Sequence, residues 1–399
     1  MDQKVLITGL GVVSPIGKAL DAYWAGLLAA NNKPADYPWT RSEYFPNRLV
    51  YYVPNPQERS TATNGTKLGR ASRFAFEAAA MCMEDARLST ESAATVGVSI
   101  GTGMGDADLQ ENARELGAEI GASEAFMFRV SAALAAEFGL GGPNLSVSTA
   151  CSAGAYSISL AVEAIRSGMA DAVLAGGAEG FSRIALACFH RLGALDPVVC
   201  RPFDKERAGT VFGEGSAMLL LESESSARRR GCTRAYAEIS GYGWSCDGYH
   251  VTAPEPSGRQ TASALRDALC EAGISADEID CVVPHGTGTE LNDVVESETL
   301  GHVLGKRLSE IPVCSVKAMI GHTGGAAGAF SCLTGALILQ HGLVPPMANT
   351  KSIDSRCGLR LYCGEPLGAE IRHLLVNAYA FGGNNISIIL GRNDGESFH

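Results

Sequence analysis

Short apolar runs alternate along the chain with longer segments in which apolar residues recur every three or four positions. The short runs have the composition of buried strands and include Lys4–Thr8, Val96–Ile100, Ala172–Ala175 and Ala217–Leu221. In the longer segments Ser72–Ala86 and Ala155–Ser167, polar residues fill the remaining positions, which predicts amphipathic helices. Strands that alternate with helices in this way predict the α/β class.

Two pairs of segments resemble each other at long separations, which indicates two related halves. Ala86–Gly105 has a counterpart in Ala272–Gly288, and Gly154 with its following helix has a counterpart 174 positions later at Gly328. Each copy reads as a strand, a glycine turn and a helix, and self-similarity over such a period is evidence about the fold. We place the divide near Ser245, which gives an N-terminal half of residues 1–245 and a C-terminal half of residues 246–399.

Composition limits the classes of partner. The chain has 399 residues and a formal net charge of −11, which argues against binding to nucleic acids or anionic membranes. No apolar run reaches the ~18 residues of a membrane span, and the N-terminus lacks the basic start of a signal peptide. The twelve cysteines include no C-x-x-C pair, so neither a zinc site nor a disulfide framework is predicted. We expect a cytoplasmic protein whose partners are small molecules or other proteins.

Cys151 is the first candidate for chemistry. It follows the strand-like Asn144–Val147 and precedes the helix from Ala155, among small residues that leave room for a substrate. The positive end of a helix favours thiolate over thiol, and the thiolate is the form that attacks a thioester. The competing interpretation is a buried core cysteine, as expected for most cysteines of this chain.

Two histidines of the C-terminal half occupy similar positions. His285 lies in the segment PHGTGT at a strand end, and Asp293 and Glu296 beyond it have capping-box spacing for the next helix. His322 follows Lys317 by five residues in SVKAMIGH. A lone histidine at a strand end is commonly structural, but two in mirrored positions together with a cysteine suit thioester chemistry. No carboxylate stands at ligand spacing, so no metal is predicted. The glycine runs lack a nucleotide fingerprint.

Four ordered segments, TACSAG, PHGTGT, SVKAMIGH with GGAAGA, and NAYAFGGNN, carry a resemblance to a known family. They resemble elongating β-ketoacyl-acyl-carrier-protein synthases, the ketosynthases of the thiolase-like superfamily, including those of type II polyketide or polyene assembly. The resemblance covers nearly the whole chain. It implies a five-layered α/β/α/β/α fold built from two related halves, no free cofactor because substrates travel on phosphopantetheine, an acyl carrier protein as partner, and a homodimer or a heterodimer with a ketosynthase-like chain.

The resemblance also implies roles for the candidate residues. Cys151 would accept an acyl chain as a thioester. His285 and His322, as neutral imidazoles, would bind the thioester carbonyl of a malonyl unit and promote its decarboxylation. Lys317 would position His322 and its loop by hydrogen bonding and charge. The resulting carbanion would attack the acyl-Cys151 carbonyl in a decarboxylative Claisen condensation.

Further positions follow from the same resemblance. Backbone N–H groups of Cys151 and Phe381 would hold the oxyanion, and the Phe381 ring would act as a gate. Thr287 and Thr289 match hydroxyls that contact the pantetheine arm. Met104 would belong to the acyl pocket.

The chain also departs from the family pattern. Ser331 stands where a glutamate is common, Glu290 where a proline is common, and Asn384 where a threonine is common. The stretch from Met104 to Gly141 is shorter than usual. These departures favour a specialised synthase over the housekeeping fatty-acid enzyme, and chain-length preference does not transfer.

Two other functions and one surface stay open. The chain could be a partner subunit that sets product length, although such subunits usually lack the nucleophile, or a non-decarboxylating thiolase-like acyltransferase, which needs a second cysteine near the C-terminus. Carrier proteins are acidic, so a local basic rim is expected. Its candidates are Lys67, Arg70, Arg73, Lys205 and Arg207, and the competing interpretation is an ordinary solvated face.

Overall fold

The structure is a computed structural model that describes residues 3–38, 47–54, 60–89, 93–117 and 126–393. The strands are β1 Val5–Val13, β2 Ala35–Asp36, β3 Leu49–Tyr51, β4 Gly97–Gly101, β5 Asn144–Val147, β6 Ala172–Glu179, β7 Phe212–Gly213, β8 Gly215–Ser223, β9 Ala237–Cys246, β10 Cys281–Val283, β11 Leu343–Val344, β12 Leu367–Gly368, β13 His373–Tyr379 and β14 Asn384–Gly391. The α-helices of these ranges are α1 Leu20–Ala29, α2 Arg70–Asp85, α3 Ala107–Glu115, α4 Phe128–Phe138, α5 Ala153–Arg166, α6 Arg183–Arg191, α7 Glu224–Arg229, α8 Arg259–Ala272, α9 Glu290–Leu304, α10 Lys317–Ile320 and α11 Ala327–His341. All of the strands and helices predicted from the apolar pattern are present.

Nine of the strands form one large sheet with the order β10-β13-β14-β9-β1-β8-β6-β4-β5. A seam lies between β1 and β9, which share only the pairs Leu6 with Glu238 and Ile7 with Ala237, whereas β9 pairs with β14 along most of its length. The seam separates five strands of the N-terminal half from four strands that include β9. The divide near Ser245 stays a prediction, and it falls at the end of β9.

Three layers of helices and the two parts of the sheet on either side of the seam make five layers. The helices α5 and α11 lie in the middle and contact strands on both sides of the seam. Thirteen of the fifteen residues of α11 are buried, as expected for a helix that is apolar on every face. The helix α2 covers the outer face of the N-terminal strands, and α8 and α9 cover that of the C-terminal strands. The predicted five-layered α/β/α/β/α arrangement is confirmed.

The sequence repeat explains how the central helices meet. Gly154 in α5 and Gly328 in α11, which the repeat pairs, lie at the contact between these two helices. A Cβ on Gly154 would lie 2.9 Å from the backbone nitrogen of Ala329, and a Cβ on Gly328 would lie 2.7 Å from the Cβ of Ala155. Glycine is therefore required at both positions, because any side chain would push the helices apart. Within the described ranges, no helix is long and apolar enough to cross a membrane.

Candidate active site

The candidate residues from both halves line one cavity. Its volume is about 340 Å³. The sequence-predicted residues in its wall are Cys151, His285, His322, Thr287, Thr289, Phe381 and Arg207. The structure therefore brings the thiol, both imidazoles and the two threonine hydroxyls together in one cavity that both halves line.

Cys151 lies in a sharp turn between β5 and α5. The turn is a single 3₁₀ helix, Ala150–Ser152, and Ala150 has a φ of 48°. A non-glycine residue in this left-handed region is strained by about 1–3 kcal/mol, which the surrounding packing has to offset. The turn leads directly into α5, so Cys151 lies at the N-terminal end of the central helix layer.

Cys151 is a thiol and not the expected thiolate. Burial raises its pKa to about 11, although the Lys317 charge and the backbone N–H groups of Phe381 and of Cys151 itself act in the opposite direction. The prediction of an ionised sulfur is therefore wrong, because loss of hydration outweighs these favourable charges and dipoles. The same two N–H groups are the ones that the family resemblance assigns to an oxyanion.

The two imidazoles face each other edge to face. The ring centroids of His285 and His322 are 5.7 Å apart and the ring planes are 86° apart. Burial and the nearby Lys317 charge lower the pKa of His285 well below its usual value and that of His322 to about 3. The Nδ1 atoms of both rings are buried and have no hydrogen-bond partner among the described residues. Both rings are neutral at physiological pH, and each carries one N–H donor.

Lys317 acts on His285 and not on His322 through its hydrogen bond. Its buried ammonium group donates to the backbone oxygen of His285, the acceptor left free where β10 ends. The prediction that Lys317 positions His322 by hydrogen bonding is wrong in this respect, although its charge acts on both imidazoles. Burial lowers the pKa of Lys317, and Glu296 opposes this shift.

Two carboxylates, Glu296 in the cavity wall and Asp293 nearby, hold the loop that carries His285. Glu296 in α9 accepts hydrogen bonds from the backbone nitrogens of His285 at 2.7 Å and Gly286 at 2.8 Å. Asp293 accepts from those of Thr287 at 3.1 Å and Gly288 at 3.2 Å. The predicted capping box is wrong, because α9 begins earlier, at Glu290 after Thr289. Two acids three residues apart, directly after a glycine loop, were the signal for this role.

An aromatic pair forms another part of the wall. Phe381 begins the turn that contains Gly382 and Gly383, both with positive φ. Its ring stacks on Phe189 of α6 with centroids 5.4 Å apart and planes 23° apart. Phe189 also lines the cavity. The sequence analysis did not select Phe189, since nothing in its spacing separates it from an ordinary helix residue.

The remaining pocket predictions have different outcomes. The hydroxyls of Thr287 and Thr289 lie 2.8 Å apart at the cavity. Met104 is not part of the cavity wall, and its backbone N–H donates to Glu179 at 2.9 Å, so its place in an acyl pocket stays a prediction. Residues 118–125 of the shortened stretch lie outside the described residues. Ser331 is buried inside α11.

Two of the five cations predicted for a basic rim are buried. Arg70 is 8% exposed and pairs with the fully buried Glu214, and Arg207 is 8% exposed and pairs with Asp354 at 2.7 Å. The prediction is wrong for these two arginines, because their charges are neutralised inside the protein. The local sequence around an arginine does not show whether its side chain is buried in an ion pair or exposed to solvent.

The other three cations are more accessible. Lys67 and Lys205 are exposed. Arg73 is half-buried, and its Nε donates to the backbone oxygen of Leu68 at 3.1 Å. In the part of the chain that the structure describes, no group of three His, Cys, Asp or Glu side chains could hold a metal ion.

Comparisons with known proteins agree with this geometry. The family model described as the N-terminal domain of beta-ketoacyl synthase matches residues 2–227, and that of the C-terminal domain matches residues 236–351. The relatives include 3-oxoacyl-(acyl-carrier-protein) synthase 2 of Synechocystis sp., 32% identical over 97% of both chains, and nodulation protein E of Rhizobium meliloti, 33% identical over 96% of this chain and 98% of the relative.

Solved structures resemble the whole chain. The ishigamide ketosynthase/chain length factor has a TM-score of 0.92 and 36% identity, and the comparison covers 98% of this chain and 100% of that one. The AntDE:AntF structure, a type II polyketide acyl-carrier protein in complex with its ketosynthase, has a TM-score of 0.88 and 28% identity, with 99% and 100% covered.

Proposed function

Since the chain belongs to the beta-ketoacyl synthase family, a family of carbon–carbon bond-forming acyltransferases, we propose how its own residues divide the reaction. An acyl group is carried on Cys151, and a malonyl unit on a carrier protein loses CO₂ and attacks it. The observation that supports this proposal is one cavity that holds a buried thiol, two neutral imidazoles and two backbone N–H groups near the sulfur.

The first step is transfer of the acyl group. Because Cys151 is a thiol at neutral pH, its proton has to leave as the sulfur attacks, and it passes to the departing pantetheine sulfur. The N–H groups of Cys151 and Phe381 stabilise the oxyanion of the tetrahedral intermediate. The S–acyl bond to Cys151 forms, the bond to pantetheine breaks, and the proton leaves with the pantetheine thiol.

The second step is decarboxylation of the malonyl thioester. His285 and His322 donate hydrogen bonds to the thioester carbonyl, where negative charge develops as the bond to the carboxylate carbon breaks. A neutral imidazole fits this role because it keeps one N–H donor without adding a charge to a buried site. Lys317 and Glu296 are positioning residues that bind the backbone C=O and N–H of His285, respectively.

The third step joins the two units. The enolate carbon attacks the acyl carbonyl on Cys151, the carbon–sulfur bond breaks, and the thiol is restored. The product is a β-ketoacyl group on the carrier protein, two carbons longer than the starting acyl chain. All atoms come from the two thioesters and one proton, so the steps balance without a free cofactor.

The two competing functions are less well supported. A subunit that only sets chain length would not need a thiol in the cavity together with two imidazoles. A thiolase-like transferase needs a second cysteine as base, and Cys151 is the only cysteine among the described residues of the cavity wall.

The partners follow from the same proposal. We expect an acyl carrier protein as substrate donor, as in the AntDE:AntF structure, and a second subunit that is either identical or a ketosynthase-like chain, as in the ApeO structure in complex with its chain length factor. Lys67 and Lys205 stay candidates for the contact with an acidic carrier protein. Carrier-borne substrates favour a cytoplasmic location.

The proposal is tested by reconstitution. The chain, purified with any subunit that accompanies it, is mixed with an acyl-carrier protein and malonyl-carrier protein, and products are followed by mass spectrometry together with CO₂. We expect one CO₂ per β-ketoacyl product. Transfer without CO₂ would support the thiolase-like alternative and overturn the proposal. The absence of product with every acyl chain from two to sixteen carbons would also overturn the proposal.

A further inference from the structure

Phe189 occupies a place between the proposed gate and the catalytic histidine. Its ring stacks on Phe381, meets the Phe212 ring edge to face with centroids 4.7 Å apart, and stands perpendicular to His322 at 6.5 Å. It also lines the cavity that contains Cys151. Phe189 therefore contacts the gate on one side and the decarboxylation site on the other.

The helix that carries Phe189 is anchored at its first turn. Glu111 of α3 accepts hydrogen bonds from the Ser182 hydroxyl at 2.7 Å and from the backbone nitrogens of Arg183 at 3.0 Å and Ile184 at 3.2 Å. The Arg183 guanidinium also pairs with Glu111 at 3.2 Å. A carboxylate at a helix N-terminus is stabilised by the helix dipole, so α6 is held firmly against α3.

Phe381, in contrast to Phe189, lies at the start of a glycine turn. Gly382 and Gly383 follow it with φ of 82° and 76°. Glycine changes its backbone conformation more easily than any other residue. Of the two stacked rings, Phe189 is therefore the fixed one and Phe381 the one that can turn. A change in the backbone of this glycine turn also moves the backbone N–H of Phe381, which is one of the two that approach the Cys151 sulfur.

We propose that Phe189 is a specificity-determining residue that holds Phe381 in its closed position and so discriminates between acyl chains by length. This inference rests on the proposed function and names the element that selects its substrate. An acyl chain long enough to pass Phe381 has to break the stack before it reaches Cys151, whereas a malonyl unit does not. Stacked aromatic pairs are worth a factor of about 2 to 13 in an equilibrium constant, which sets the size of the expected discrimination.

The test compares Phe189→Leu with Phe189→Tyr and with Phe138→Leu. Leucine removes the aromatic stack, tyrosine keeps it, and Phe138 lies on α4 outside the cavity wall, so its variant reports a general loss of packing. The measurement is the single-turnover rate at which Cys151 is acylated by carrier-bound chains of two to sixteen carbons, followed by intact mass, with malonyl decarboxylation measured separately.

We expect Phe189→Leu to accelerate acylation by long chains about 2- to 13-fold relative to two-carbon chains, while Phe189→Tyr keeps the length profile of the original chain. A profile that changes equally at all lengths, or equally in Phe138→Leu, would overturn the inference. A double variant with Phe381→Leu should show no further change in the profile, and full additivity would also contradict it. If the unmodified chain is never acylated, the proposed function fails, whereas normal acylation with an unchanged profile removes only the role of Phe189.

Discussion

The protonation state of Cys151 gives a prediction whose size follows from the structure. With a pKa of about 11, the thiolate fraction at pH 8 is about 0.001, against about 0.24 for a free cysteine with a pKa near 8.5, a ratio of about 240. A more basic thiolate is also more nucleophilic, by about 13-fold for this difference at a Brønsted slope near 0.45. Together the two effects make Cys151 about 20-fold slower towards a small alkylating reagent at pH 8.

The assay is the pH dependence of Cys151 alkylation by iodoacetamide, followed by peptide mass mapping from pH 6 to pH 10.5. The shape of this profile does not depend on how easily the reagent reaches the site, so burial as a steric barrier does not affect the result. We expect the rate to rise about tenfold per pH unit across most of the range, without a plateau below pH 9. Lys317→Met should move the profile to still higher pH, because the lysine charge lowers the Cys151 pKa.

The control for the lysine variant is Lys205→Met, which removes an exposed lysine and should leave the profile in place. A plateau between pH 6 and pH 8 would refute the reasoning, since it would mean that the turn and the helix dipole of α5 outweigh burial. A shift to lower pH in Lys317→Met would refute the assigned sign of the lysine effect.

Three other perturbations test separate parts of the account. His322→Ala should lower the rate of malonyl decarboxylation about 10²- to 10³-fold, as for loss of one oxyanion donor, while Cys151 is still acylated. Because the pKa of His322 is lowered to about 3, the decarboxylation rate of the unmodified chain should not follow the titration of an imidazole between pH 6 and pH 8. Arg207→Ala removes the ion pair with fully buried Asp293 at 3.6 Å and that with Asp354, which keeps Arg356 as its second partner, and should cost about 3–5 kcal/mol in urea unfolding; a loss below 1 kcal/mol would contradict the stabilising role of the buried Arg207 charge. Lys205→Glu should raise KM for carrier-borne substrate with little change in kcat, and the effect should fade at high salt; unchanged KM would remove Lys205 from the contact surface.

The apolar pattern predicted the fold well because the pattern and the fold have the same cause. Runs such as Ala217–Leu221 are apolar because β8 is buried on both faces, and the repeat at Gly154 and Gly328 reflects two glycines that meet where the central helices cross. Both features are local in sequence or repeated along it. The seam between β1 and β9 is neither, and the divide near Ser245 falls at the far end of β9 instead of before its first residue.

The sequence predicted which residues line the cavity better than it predicted their charge states. Motifs and local position indicated Cys151, His285 and His322. Cys151 and His285 follow shortly after β5 and β10, and His322 lies between the short helix α10 and α11. Whether Cys151 is ionised depends on burial by segments far away in the sequence, and the local helix dipole gave the wrong sign. The role of Arg207 depends on Asp354, which is 147 residues away, so no local pattern could show that its charge is neutralised.

The central claim is that Cys151 carries the acyl group during the reaction. The most direct measurement is the intact mass of the protein after brief incubation with an acyl-carrier protein, followed by mapping of the modified peptide. The account predicts a mass increase equal to one acyl group, located on Cys151, absent from Cys151→Ala and lost again when malonyl-carrier protein is added. An adduct on another residue, or product formation by Cys151→Ala at the original rate, would contradict it.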